Sequence, residues 1–101
     1  MTPEPTTGDV FEALANVHRR AILALLSGSR LPLCEITDQL PITRQAVSGH
    51  LRFLSFSGLV ADEVAGTRRL FRLNENGPVP VQKYLELVFG PDRHLPNMEE
   101  T

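Results

Sequence analysis

At 101 residues, with ten basic and twelve acidic side chains and a formal net charge of −2, the chain is sized for one domain with a modest core. No apolar run approaches the ~18 residues of a membrane span, and the start, Met1 to Pro5, has neither the basic nor the apolar segment of a secretory signal. The single cysteine excludes an internal disulfide and fits a reducing cytoplasm, where the protein is expected to reside.

Residues 1–8, with two prolines, threonines and Gly8, are expected to form a mobile tail ahead of a folded domain over 9–90. Asp9 is placed to cap a short helix whose apolar face is Val10, Phe11, Leu14 and Ala15. Asn16 interrupts it, and a second helix is predicted over 17–27. There Val17, Ala21 and Leu25 share a stripe that Ile22, Leu23 and Leu26 widen most of the way round. A helix so apolar is expected at the centre of the core, with Arg19 and Arg20 as polar exceptions. Ser27-Gly28-Ser29 ends it, and Leu31-Pro32-Leu33 reads as a very short strand. Leu33, Ile36 and Leu40 then follow helical spacing, for a helix over 34–40 that Pro41 stops.

After a tight Pro41-Ile42 turn, Thr43 is placed as the N-cap of a longer helix. Ile42 before the cap and Val47 inside the first turn make the arrangement of a hydrophobic staple; Ala46 stands where Glu or Gln would close a capping box. Val47, Leu51 and Leu54 form one apolar stripe, and at about 100° per residue Gln45, Gly49 and Arg52 lie opposite it, with Ser48 beside them. An anchored helix exposing amide, hydroxyl and guanidinium groups suits insertion into a DNA groove. Gln45 and Arg52 are the candidates for base contact, because Gln matches adenine and Arg matches guanine through paired hydrogen bonds. Thr43, Arg44 and Ser48 are better placed for phosphates or groove edges. Gly49, costly inside a helix, points to close approach by DNA or a neighbouring helix. His50, at the edge of the stripe, has two readings, a DNA contact and a half-buried, hydrogen-bonded histidine. Phe56 points away from the stripe, with a subunit or cofactor contact as its candidate roles.

Gly58 stops this helix. Residues 59–64 and 67–73 alternate as two strands around an Ala65-Gly66 turn, with Phe71 and Leu73 on the core side and Arg68 and Arg72 on the other. Thr67, Arg68 and Arg69 are candidates for contacts from a wing over 64–69 to the minor groove or to phosphates; the alternative is a charged edge that discourages aggregation. Asn74 to Pro78 is a loop. A last helix starts near Pro80, with Val81, Tyr84, Leu85 and Val88 at helical spacing; Gly90-Pro91 ends it, and 91–101 is expected to be a flexible tail. Arg44, Arg52, Arg68, Arg69 and Arg72 outnumber Asp62 and Glu63 across the same stretch, so the local field is positive although the net charge is not.

Helix, helix, helix-turn-helix, hairpin, helix describes a mainly α winged helix-turn-helix with a small β-hairpin. In residues 11–16, 19–23, 47–54, 58–60 and 66–73, above all in Ser48-Gly49-His50-Leu51 and Gly58-Leu59-Val60, the chain resembles the ArsR-type family of bacterial winged-helix regulators. The resemblance implies a transcriptional regulator, a repressor binding double-stranded DNA. It also implies a homodimer joined through the first and last helices, here Val10, Phe11 and Leu14 with Val81, Tyr84, Leu85 and Val88. Residues 43–56 would then enter the major groove of a near-palindromic operator with half-sites about one helical turn apart.

Metal-sensing members carry a Cys-x-Cys pair before the turn, where this chain has Pro32 and Cys34, and others use His and acidic groups of the last helix, where 80–89 offers only Glu86. His18, Cys34, His50 and His94 fall in four different elements, so no metal or cofactor is expected, and the effector is unassigned. Cys34 reads as a small apolar filler, with a redox-active thiol as the alternative. No nucleophile–base pair, phosphate loop or carboxylate pair suggests an enzyme. The competing function is a winged-helix protein-interaction module that does not read DNA, motivated by the acidic balance and by Phe56.

Overall fold

Short polar side chains set where the helices begin. In the computed structural model, which describes residues 9–90, Asp9 accepts from the Phe11 and Glu12 amides at 2.9 and 3.4 Å and starts α1, Val10–Leu14. Asn16 does the same for α2, Val17–Leu25, accepting from His18 and Arg19 at 2.8 and 3.1 Å. Each satisfies amides that the first helical turn leaves without partners. The tails expected at 1–8 and 91–101, and His94 with them, lie outside the described residues.

Helix α2 ends two residues earlier than its sequence suggests, and it shares the centre of the core with α4. Of the residues expected in it, Ile22 and the C-cap Leu26 are fully buried, while Val17 is 60% exposed. Apolar residues surround this helix, but within the chain its neighbours cover one side alone. Arg19 and Arg20 have a structural task instead: they donate to the Ala13, Glu12 and Leu14 carbonyls at the open end of α1.

Leu31 pairs with Phe71 through two backbone hydrogen bonds, 3.0 and 2.8 Å, so the expected short strand is a single bridge. It ties the hairpin to the start of α3, Leu33–Asp38, which begins one residue early and stops before Pro41. Helix α4, Arg44–Phe56, starts on Thr43, whose Oγ1 accepts from the Ala46 amide at 3.0 Å. It ends in a Schellman arrangement. Gly58 takes φ +84°, its amide reaches the Ser55 carbonyl, and the Leu59 amide reaches the Leu54 carbonyl at 3.0 Å. Leu54 and Leu59, the pair this motif brings together, are both buried. With Val47, Leu51 and Leu54 buried, α4 is the element on which the core is built.

Strands β1, Val60–Ala65, and β2, Arg68–Leu73, pair antiparallel with Ala65 opposite Arg68. The turn is therefore Gly66-Thr67, one residue later than expected. Gly66 has φ +69° and Thr67 does not share a positive φ, the signature of a II′ turn, which wants glycine first. Phe71 and Leu73 pack against the core as their alternation requires. The Asn74 side chain donates to the Gly58 carbonyl at 2.9 Å and leads into α5, Val79–Phe89, which has Pro80 in its first turn. No residue of α5 is fully buried; Val81 packs against the core.

Candidate nucleic-acid interface

Val47, Leu51 and Leu54 anchor α4 in the core, and its remaining sides differ. One leans on α2: Arg19 lies 4.3 Å over the Phe53 ring, and its Nη1 sits 3.5 Å from His50 Nδ1. The His18 and His50 rings are 6.0 Å apart. Partial burial, then the Arg19 charge and then His18, hold the His50 pKa below the ordinary histidine value. His50 is thus half-buried against two cationic or titratable groups of its own chain. These are the surroundings of the half-buried reading of this histidine.

The opposite side carries Gln45, Gly49 and Arg52, all exposed, with half-buried Ser48 beside them. Among the described residues, the side chains of Arg44, Gln45, Ser48 and Arg52 make no hydrogen bond or ion pair. These donors are available to a ligand. Gly49 has no neighbour within 4 Å of where a Cβ would stand, so no helix of its own chain requires glycine there. Phe56, 61% exposed, stands on the same side at the far end of the helix.

The wing is less positive than its sequence suggests. Arg68 pairs with Glu35 of α3 at 3.7 Å, Arg69 with Asp62 at 2.6 Å, and Arg72 with Glu63 at 3.2 Å; Glu63 also takes Arg30 at 2.6 Å. The two arginines, Arg30 first, hold the Glu63 carboxyl below its ordinary pKa. Arg68 and Arg69 point to opposite faces of the hairpin. Arg69 shares its face with Asp62, Val64 and Phe71, and Thr67 sits exposed in the turn.

An open cleft of about 430 Å³ separates α4 from this face of the hairpin, lined by Ser48, Arg52, Ser55 and Phe56 on one wall and Asp62, Arg69 and Phe71 on the other. A second open cleft, about 520 Å³, runs along the start of α4 past Thr43, Arg44, Gln45 and Ser48, and Leu33 borders both. The expected residues of α4 other than His50 are therefore brought onto one surface with Arg69, while Arg68 is turned aside. Sequence reading missed Asp62 and Ser55. For Asp62 the signal was present, an acid and an arginine on the same face of a hairpin. Cys34 is exposed rather than the apolar filler expected, and no group of three or more His, Cys, Asp or Glu able to hold a metal occurs among the described residues.

On the apolar side of the molecule, Phe11 meets Tyr84 edge-to-face with centroids 5.3 Å apart. Phe11, Tyr84, Leu85 and Val88 are nonetheless 45–54% exposed, whereas Val10 is buried within the chain, Leu14 half-buried, and Val81 turned to the core.

A family model described as the bacterial regulatory protein, arsR family, matches residues 16–62. The chain is 43% identical over 67 residues to the HTH-type transcriptional regulator Rv2034 of Mycobacterium tuberculosis, a match covering 66% of this chain and 63% of the relative, so it spans less than two thirds of that protein. It is 32% identical over 84 residues to the arsenic resistance transcriptional regulator ArsR2 of Pseudomonas putida, covering 82% and 73%. The homodimeric winged helix-turn-helix DNA-binding domain Mb0332 of Mycobacterium bovis superposes with a TM-score of 0.63 at 29% identity, covering 84% of this chain and 83% of that one. With its helix order, its hairpin and these likenesses in agreement, the chain belongs to the ArsR family of bacterial regulatory proteins.

Proposed function

We propose that this protein is a homodimeric, cytoplasmic transcriptional repressor that binds a near-palindromic operator. In this reading 9–90 is the DNA-binding and dimerisation domain, α4 enters the major groove, and the 64–69 wing lies beside it. One observation carries the reading: on the exposed side of a well-anchored helix, Gln45 and Arg52 keep their donors unpaired while the wing arginines are all neutralised by acids. Unpaired amide and guanidinium groups at that spacing suit base edges, and Arg44, Thr43 and Ser48 suit the flanking phosphates. His50, held by its own chain, is assigned to positioning α4 rather than to DNA.

The test is a gel-shift with duplex from the promoter region of the protein's own gene. Wild type is expected to shift it in a salt-sensitive way. Arg52→Ala is expected to lose about 1–3 kcal/mol of binding to the preferred sequence and to relax the choice of base at one position in each half-site. Tight binding indifferent to that substitution would remove α4 as the reading element.

A further inference from the structure

The Asp62–Arg69 pair leaves part of the arginine unengaged. Asp62 Oδ2 accepts from Arg69 Nε at 2.6 Å, and among the described residues neither Arg69 Nη group makes a hydrogen bond. The carboxylate therefore holds the Nε side of the guanidinium and leaves both Nη groups unpaired, and both residues line the cleft between hairpin and α4. An exposed ion pair of this kind adds little to folding stability. A carboxylate on a surface that must meet phosphates is a cost to binding any nucleic acid. A different pairing stands on the other face of the hairpin, where Glu63 is shared by Arg30 and Arg72 and braces the wing against the loop after α2.

We infer that Asp62 is a positioning residue that presents the Arg69 fork to a phosphate of the DNA strand crossing between the α4 major-groove contact and the wing. The inference rests on the DNA-binding reading. A strand lying in the cleft meets Arg69 from the wing, Ser48, Arg52 and Ser55 from the helix, and the rings of Phe56 and Phe71. The rings suit the sugar and the guanidinium suits the phosphate, where a two-pronged contact is stronger and more directional than a point charge. In a cognate complex the strand sits in one register and the oriented fork is used in full. In a loose, non-cognate complex only net charge counts, and there Asp62 repels. Asp62 thus lowers general affinity and raises discrimination.

The experiment measures binding by fluorescence anisotropy on two duplexes of equal length, one selected by wild-type protein from a random pool and one unrelated. Wild type, Asp62→Asn, Arg69→Ala and the double variant are compared, with Glu63→Gln as a control. Asp62→Asn is expected to reduce the ratio of the two affinities by about tenfold, by weakening the selected complex while leaving the unrelated one equal or tighter. Adding Asp62→Asn to Arg69→Ala should change the ratio no further. An unchanged ratio, equal tightening on both duplexes, or a loss that persists without Arg69 would each overturn the inference. Failure of wild type to select any duplex would instead remove the DNA-binding reading, and this inference with it.

Discussion

Gly49 sits on the one part of the exposed α4 surface without a side chain. Its backbone is ordinary helix, and a methyl group there would meet nothing within 4 Å. The fold therefore has no use for glycine at this position, which gives up about 1 kcal/mol relative to alanine in a helix interior. A surface that must let another molecule close to the helix backbone does have a use for it. Gly49→Ala is accordingly expected to raise the Tm by about 4–8 °C while weakening operator binding, with both measured on the same preparation. A stabilised variant that binds as well as wild type would take Gly49 out of the interface. His50, one residue on, illustrates the opposite case: the same helix, but a side chain committed to Arg19 and His18 of α2.

At the scale of elements, the junction between α4 and α5 is tighter than its loop composition suggests. Gly77 is buried, and a Cβ on it would stand 2.7 Å from the Gly58 carbonyl oxygen and 3.0 Å from Leu59 Cα. Asn74 closes the same junction, its amide donating to the Leu59 carbonyl at 2.9 Å. Both neighbours are backbone and cannot swing away, so Gly77→Ala is expected to cost about 1–3 kcal/mol. Thermal denaturation reads this as a fall of about 4 °C or more in Tm, and an unchanged Tm would mean the junction has room. This contact was invisible in the sequence, where Asn74 to Pro78 read only as breakers. What was legible is local: Asp9, Asn16 and Thr43 as caps, Gly58 as the stop, and the Val47, Leu51, Leu54 stripe, each signalled within one or two turns of chain. What is not legible depends on a neighbour. Helix α2 was apolar enough to be central, but periodicity does not say how many neighbours it has. The hairpin turn slipped by one residue because alternation fixes the faces and not the register. The Asp62–Arg69 and Arg19–His50 contacts needed that tertiary placement before they could be seen.

At the scale of the whole molecule, two surfaces stand out. One side gathers the unpaired donors of α4 and the oriented Arg69. The other leaves Phe11, Tyr84, Leu85, Leu87 and Val88 between 45 and 82% exposed on α1 and α5, a pair of helices already touching through Phe11 and Tyr84. Monomeric proteins rarely leave so many neighbouring large apolar side chains in water, and a second copy is the partner that the proposed homodimer would supply. Burying this surface would also complete α5, which has no fully buried residue in the single chain. Leu85→Glu places a charge in the middle of that surface, where desolvating it is costly. It should therefore separate assembly from folding. In sedimentation equilibrium, wild type is expected at twice the chain mass and Leu85→Glu at the mass of one chain, with an unchanged helical circular dichroism signal. On DNA, the variant should keep weak, salt-sensitive binding to a half-site and lose the added affinity for the two-half-site operator, since the second contact is no longer intramolecular. Wild-type protein sedimenting as a single chain at micromolar concentration would refute the dimer, and with it the near-palindromic operator.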